Sequence, residues 1–320
     1  MAFAENAVKF QYCRPDVNDG DVIDIRTGRH PVIERQLPLG ESYVPNDVFL
    51  DCATQQLLMI TGPNMSGKSA LLRQTALICI LAQMGSYVPA AAASLGFLDK
   101  LFTRVGASDN ISSGESTFMV EMNETASIMN NISGRSLILL DEIGRGTSTY
   151  DGISIAWSVA EYLHDNPYGR PKTLFATHYH ELNALAGTHE RIRNYHIATR
   201  EVGNKMLFLR TLVEGGTEHS FGIHVAQMAG MPKSILFRAT EILKELERKE
   251  TEITRGKISG KAQGESKADA MQLSIFEHFD PVAAKVKEQL ADVNINELTP
   301  VECMMKLLEL QKLLDGQEEM

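Results

Sequence analysis

Leu57-Leu58-Met59-Ile60-Thr61 runs directly into Gly62-Pro63-Asn64-Met65-Ser66-Gly67-Lys68-Ser69, and this junction decides the fold. A short apolar run bounded by turn residues reads as a buried strand. The stretch from Gly62 to Ser69 has the form G-x-x-x-x-G-K-[ST], the turn by which a strand enters a helix around a phosphate. Its glycines let backbone N–H groups wrap a β-phosphate at the positive end of the helix, Lys68 reaches the β/γ oxygens, and the Ser69 hydroxyl suits Mg²⁺. A fortuitous glycine-rich turn is the bland alternative, and the strand-to-helix context disfavours it.

The next chemical signal is Leu137-Ile138-Leu139-Leu140 ending in Asp141-Glu142. An acid at the carboxyl end of a buried strand beside the phosphate loop holds Mg²⁺, and a second carboxylate orients or deprotonates an attacking water. Asp141 takes the first role here and Glu142 the second. A further apolar strand, Thr173–Thr177, leads into His178, placed to emerge on the same sheet edge and sense the γ-phosphate. His178, His180 and Glu181 also invite a zinc reading, but position 184 is Ala, so the HExxH pattern fails. The other histidines, His180, His189 and His196, read as structural.

Between loop and acidic strand lies Asn110-Ile111-Ser112-Ser113-Gly114-Glu115-Ser116-Thr117, a polar stretch leading into the helical pattern Phe118–Asn131. Ser116 and Thr117 at a helix start are either an ordinary N-cap or a second anion site. With one phosphate cradle already present, the second makes most sense docked on another subunit's nucleotide, in a dimer closed by ATP.

Composition bounds the class. The chain has 320 residues, a formal charge of −10, 43% hydrophobic and 22% charged residues, and four cysteines. That is enough for a large core in one domain or two. The apolar stretches fall short of the ~20 residues that span a bilayer, and there is no leader-like start, so a soluble cytoplasmic protein is expected. Net acidity argues against a broad DNA-coating field. Cys13, Cys52, Cys79 and Cys303 are scattered without ligand spacing and read as buried thiols.

The expected fold is α/β: a largely parallel sheet flanked by helices, with strands at Leu57–Thr61, Lys100–Val105, Leu137–Asp141 and Thr173–Thr177 and main helices after Gly67, Ser116, Tyr150 and His178. Residues 1–50 read as an irregular lead-in layer with short extended pieces such as Val22-Ile23-Asp24-Ile25, and 51–217 as the nucleotide-binding core. Arg191–Thr199 and Lys205–Leu212 read as an antiparallel hairpin. Two helices, Phe221–Ala229 and Pro232–Lys249, form an element at 218–249; residues 250–270, rich in Lys, Glu, Gly, Ser and Thr, read as a flexible linker. The tail, 271–320, regains apolar periodicity in Val282–Leu290 and Val301–Leu314, a small helical hairpin.

On these residues the chain resembles the ATPase region of the MutS DNA mismatch repair family, relatives of the ABC-type P-loop NTPases. The matching stretches are Thr61–Ser69, R-Q-T-A-L from Arg73, G-S-Y-V-P-A from Gly85, F-T-R-V-G-A from Phe102, S-T-F-M-V-E-M from Ser116, D-E-I-G-R-G-T-S-T-Y-D-G from Asp141 and A-T-H-Y from Ala176. Similarity extends from about Gly28-Arg29-His30-Pro31-Val32 to about Lys249. It departs at Ala70-Leu71-Leu72, where the family commonly has a Thr and an aromatic or another residue; that alters packing under the loop.

The resemblance implies an ATPase acting as a homodimer with two composite sites. Each uses the loop, Asp141, Glu142 and His178 of one subunit and Ser116 and Thr117 of the other, with ATP and Mg²⁺ bound. It further implies Tyr43 stacked on adenine, Asn64 beside the γ-phosphate or water, Gly144 to Asp151 linking the sites, and 218–249 as a dimerisation element. A DNA-binding helix-turn-helix there would want more basic residues than Lys233 and Arg238. Mismatched DNA would be bound through domains that this chain lacks, with mismatch-repair partner proteins downstream. Gln272-Leu273-Ser274-Ile275-Phe276 resembles the peptide by which bacterial repair proteins engage the sliding clamp, a reading preferred to that of an apolar anchor for the tail helices, and the tail would also carry any higher oligomer. Two other readings stand beside this one: the motor of a paralogue controlling recombination, and a structural dimerisation and docking module.

Overall fold

The computed structural model describes residues 2–63, 66–105, 116–167, 169–202, 205–217, 222–258 and 306. Asn64 and Met65, the loop before Ser116, most of the expected linker and the tail with Gln272–Phe276 therefore lie outside the described residues. The chain divides into two compact units, Met1–Arg248 and Lys249–Met320.

The first unit begins with helix α1 (Ala2–Phe10) and strands β1 (Asp16–Asn18) and β2 (Ile23–Gly28). The short helix α2 (Ile33–Gln36) and strands β3 (Asn46–Leu50) and β4 (Leu57–Thr61) come next. After the loop come α3 (Lys68–Gln83), β5 (Ala92–Gly96), β6 (Lys100–Arg104), α4 (Thr117–Met129) and β7 (Ser136–Asp141). The remaining elements are α5 (Thr149–Asp165), β8 (Lys172–Ala176), a 3₁₀ turn (His180–Ala184), α6 (Leu185–Thr188), β9 (Ile192–Val202), β10 (Lys205–Glu214), α7 (Gly222–Met228) and α8 (Lys233–Ile258).

The main sheet has the order β10-β9-β4-β8-β7-β6. All pairings from β9 to β6 are parallel, and β10 alone runs antiparallel. Its central strands are apolar on both faces because both are covered. Leu58, Ile60, Leu139 and Leu174 face a core shared with Leu71, Leu72, Ile78 and Cys79 of α3. Leu57, Met59, Ile138, Leu140 and Phe175 face the opposite core, with Ile153, Ala156, Ala160 and Leu163 of α5. Alternation along each strand thus sorts side chains between two cores.

Three expectations need correcting. Residues 1–50 are more regular than expected: the extended piece at Val22–Ile25 runs into β2, but α1, β1 and β3 lie there too, and β1-β5-β2-β3 make a second sheet whose Ile23, Ile25, Val48 and Leu50 pack into the α3 core. Frequent Gly, Pro, Asn and Asp mark its turns, while the strands between them are too short for periodicity to stand out. Second, α8 continues to Ile258, through the start of the supposed linker; Lys, Glu and Arg are good helix formers, so a polar run extends a helix as readily as it makes a coil. Third, the segment after His178 is a 3₁₀ turn and one short helix, not a main helix. The hairpin of β9 and β10 has the expected antiparallel pairing.

Candidate functional site

The parallel strands of the main sheet share one carboxyl edge, and the chemically notable residues converge there. The acidic strand β7 does not lie beside β4; β8 is inserted between them. Contact is restored because α3 starts across that edge: Ser69 Oγ donates to Asp141 Oδ2 at 2.5 Å. Gly67 makes the entry into α3 feasible. Its φ of +108° lies where side-chain-bearing residues are strained.

Lys68 is buried, 4% exposed. Its ammonium folds back on the loop, donating to the carbonyls of Gly62 at 2.5 Å and Pro63 at 3.2 Å, with Glu142 Oε1 4.0 Å away. Burial pushes its pKa down, and Glu142 and then Asp141 oppose that. Burial likewise raises Asp141, opposed by the Ser69 hydrogen bond and reinforced by neighbouring Glu142. His178 is lowered, first by burial, with the Glu142 carboxylate acting against it.

Glu142 occupies a left-handed conformation, φ +56°, which for a residue with a side chain costs about 1–2 kcal/mol. Its backbone N–H donates to Ala176 O at 2.9 Å, so the end of β8 fixes the turn that aims the carboxylate. Glu142 Oε2 pairs with the guanidinium of Arg145. Pro63, Gly67, Lys68, Ser69, Ala70, Glu142 and Arg145 line a cavity of about 410 Å³. A larger cleft of about 770 Å³, near Arg14, Asp16, Tyr87 and Phe97, contains none of these groups.

The edge thus brings Lys68, Ser69, Asp141, Glu142 and His178 together. Ser116 and Thr117 are exposed at the start of α4, where Ser116 Oγ accepts from Met119 N–H at 3.1 Å as an N-cap. Tyr43 lies against α3, its hydroxyl donating to Gln74 Oε1 at 2.9 Å, and burial raises its pKa to about 12. Sequence reasoning misses Arg145, although its place three residues after Glu142 on a glycine-containing turn marks it for return to the carboxylate.

Several polar atoms at this edge are buried without a hydrogen-bond partner among the described residues: Ser66 Oγ, Asp141 Oδ1 and His178 Nδ1. An alcohol and a carboxylate side by side are hard oxygen donors suited to Mg²⁺, and the residues present fit that ion. A loop entering a helix at the carboxyl edge of a parallel sheet, faced by two carboxylates and a lysine, defines an α/β protein with a candidate anion-binding site.

Comparison with known proteins gives the particular family. The sequence model described as MutS domain V matches residues 58–247, and the chain belongs to the MutS family. It is 58% identical over 318 residues to the DNA mismatch repair protein MutS of Bacteroides fragilis (strain YCH46), covering 99% of this chain and 36% of that protein. To the protein of the same name from Cytophaga hutchinsonii it is 60% identical over 313 residues, 98% of this chain and 36% of the relative. The Christiangramia forsetii counterpart is 59% identical over 318 residues, with 99% and 36% covered. The chain therefore spans about a third of the length of these relatives. No described helix is long and apolar enough to cross a membrane.

Proposed function

We propose that this chain is the ATP-binding and ATP-hydrolysing motor of a MutS-type DNA mismatch repair protein, a P-loop domain of ABC type working in the cytoplasm as a homodimer with two composite sites. The observation that supports this most is the convergence of Lys68, Ser69, Asp141, Glu142 and His178, from three separated motifs, on one sheet edge. Under this reading 51–217 is the ATPase core and 218–249 the dimerisation element. Mismatched DNA is held by domains outside this chain, and Gln272–Phe276 is offered to a sliding clamp.

Lys68 exchanges its contacts with the Gly62 and Pro63 carbonyls for β/γ-phosphate oxygens, whose negative charge holds the ammonium more strongly than a neutral carbonyl does. Asn64 stands beside the γ-phosphate, and Tyr43 offers its ring to adenine. Ser69 and Asp141 would hold Mg²⁺, which when bound neutralises charge on the β- and γ-phosphates. Glu142 accepts the proton of the water that attacks the γ-phosphorus as the bond to the ADP oxygen breaks. His178, kept neutral by burial, donates a hydrogen bond to the γ-phosphate oxygens. Ser116 and Thr117 of the partner subunit close the site.

The test is ATP turnover measured against protein concentration, with Glu142→Gln as control. A rate per chain that climbs with concentration, together with a fall of about 10²–10⁴-fold in Glu142→Gln at intact nucleotide binding, is expected. Concentration-independent turnover argues against the composite site, and undiminished turnover in Glu142→Gln removes the role given to that residue.

A further inference from the structure

Gly144 is held from both sides of its peptide. Its N–H donates to Glu121 Oε1 of α4 at 2.6 Å, and its carbonyl accepts from the Tyr179 hydroxyl at 2.9 Å. The surroundings leave it no slack. Gly144 has φ +88°, and a Cβ there would stand 2.5 Å from Gly152 O, so the turn is wedged against the first residues of α5. Glu121 and Tyr179 are themselves buried, 6% and 5% exposed. Glu121 is also paired through Oε2 with Arg104 at the end of β6, 3.5 Å away, and the Tyr179 ring lies against His178, with centroids 4.1 Å apart.

Burying a carboxylate is expensive unless it is paired and hydrogen-bonded, and here its acceptor is directed at one backbone N–H in the turn carrying Glu142. That turn begins at Asp141–Glu142, where the strained Glu142 backbone is tied to Ala176, and ends at Gly144. The backbone that carries the Glu142 side chain is thus tied on both sides. Glu121 lies just over one helical turn beyond Ser116–Thr117, so the helix bearing the proposed partner-facing residues and the turn bearing the proposed base share a rigid link.

We propose that Glu121 and Tyr179 are a pair of positioning residues that set the Asp141–Gly144 turn and make the aim of Glu142 depend on the placement of α4. This rests on the hydrolytic reading above. Neither residue touches nucleotide; each acts through the Gly144 peptide.

The experiment is steady-state ATP hydrolysis and equilibrium nucleotide binding by the full 320-residue chain carrying Tyr179→Phe, Glu121→Ala, Glu121→Gln or the double Glu121→Ala/Tyr179→Phe. Tyr179→Phe keeps the ring on His178 and removes only the donor to Gly144. Tyr179→Phe and Glu121→Ala should each lower kcat by about tenfold or more while nucleotide affinity stays within about twofold. Glu121→Gln, which retains an acceptor, should recover most of the rate. The double variant should lose less than the product of the two single losses, because both act on one peptide. Unchanged kcat in Tyr179→Phe, a loss carried by affinity instead of kcat, or multiplied losses in the double variant each overturn the proposal. Should Glu121→Ala fail to fold by its melting curve, Tyr179→Phe and Glu121→Gln decide alone. Wild-type turnover abolished by Glu142→Gln, alongside unaffected Tyr179→Phe, would sink this inference and leave the hydrolytic reading standing; absence of wild-type turnover would sink that reading itself.

Discussion

The two ends of the central strands surround their buried polar groups with different neighbours. At the amino edge, Gln56 is fully buried, and its amide is spent inside the protein. Nε2 donates to the carbonyls of Leu163 and Pro171 at 2.9 and 3.2 Å, and Oε1 accepts from Arg191 Nε at 2.9 Å. Arg191 Nη2 in turn donates to His164 O at 2.7 Å. At the carboxyl edge, Ser66 Oγ, Asp141 Oδ1 and His178 Nδ1 are buried without partners among the described residues, and Lys68 and Asp141 are driven toward their neutral forms. The amino edge thus closes the Gln56–Arg191 network on itself, while Lys172 Nζ and His164 Nε2 there lack hydrogen-bond partners among the described residues; the carboxyl edge differs in gathering its unpartnered atoms beside the ionisable Lys68, Asp141 and Glu142.

Substitutions at the two ends should separate these roles. Lys68→Ala carries the largest expected effect on ligand: loss of a charge-assisted contact of about 3 kcal/mol, roughly two powers of ten in nucleotide affinity, read by equilibrium titration with ATP. Gln56→Ala should do the reverse. It strands two carbonyls and a guanidinium, costing about 2–4 kcal/mol of unfolding free energy in a denaturant titration while nucleotide affinity is untouched. A Gln56→Ala chain that weakens nucleotide but keeps its stability would break the comparison.

Asp141→Asn sharpens it from the other side. Burial raises the Asp141 pKa; an acid with a folded value above its unfolded one stabilises the fold most at low pH and loses that contribution as pH rises through the folded value. At neutral pH the carboxylate is thus a net burden on folding. The amide removes the buried charge, keeps an oxygen for Ser69, and should raise the melting temperature at pH 7 by a few degrees, with nucleotide-dependent Mg²⁺ affinity reduced. A lower melting temperature would mean that Asp141 is structural.

How far all this could be read from sequence follows the same division. The loop, the acidic strand end and His178 were legible because each is a short motif on a strand whose two-sided burial makes it conspicuous. Their convergence was legible too, since parallel strands share a carboxyl edge. The insertion of β8 between β4 and β7 was not: strand order depends on long-range pairing that local pattern does not encode. Nor was the second sheet, whose strands β1 to β3 and β5 are short and separated by turn-forming residues. Arg145, Glu121 and Tyr179 escaped because their importance comes from a partner distant in space, an ion pair with Glu142 or a hydrogen bond to Gly144.

The smallest expected effect concerns His178 and pH. Its pKa is lowered, mainly by burial, while Glu142 pulls the other way. A base with a folded pKa below its unfolded value binds more protons unfolded than folded across the window between the two. Stability therefore rises with pH through that window, whose upper limit is near the ordinary value of about 6.5, and falls when acid forces the ring to charge inside the fold. His178→Gln has nothing to titrate and should flatten the slope of unfolding free energy below about pH 6.5. Because Glu142 opposes the shift, Glu142→Gln should steepen that slope in the chain that keeps His178. Denaturant titrations at several pH values check both. If Glu142→Gln left the slope unchanged, the two side chains would not share one electrostatic site, and the open edge would reduce to separate buried groups.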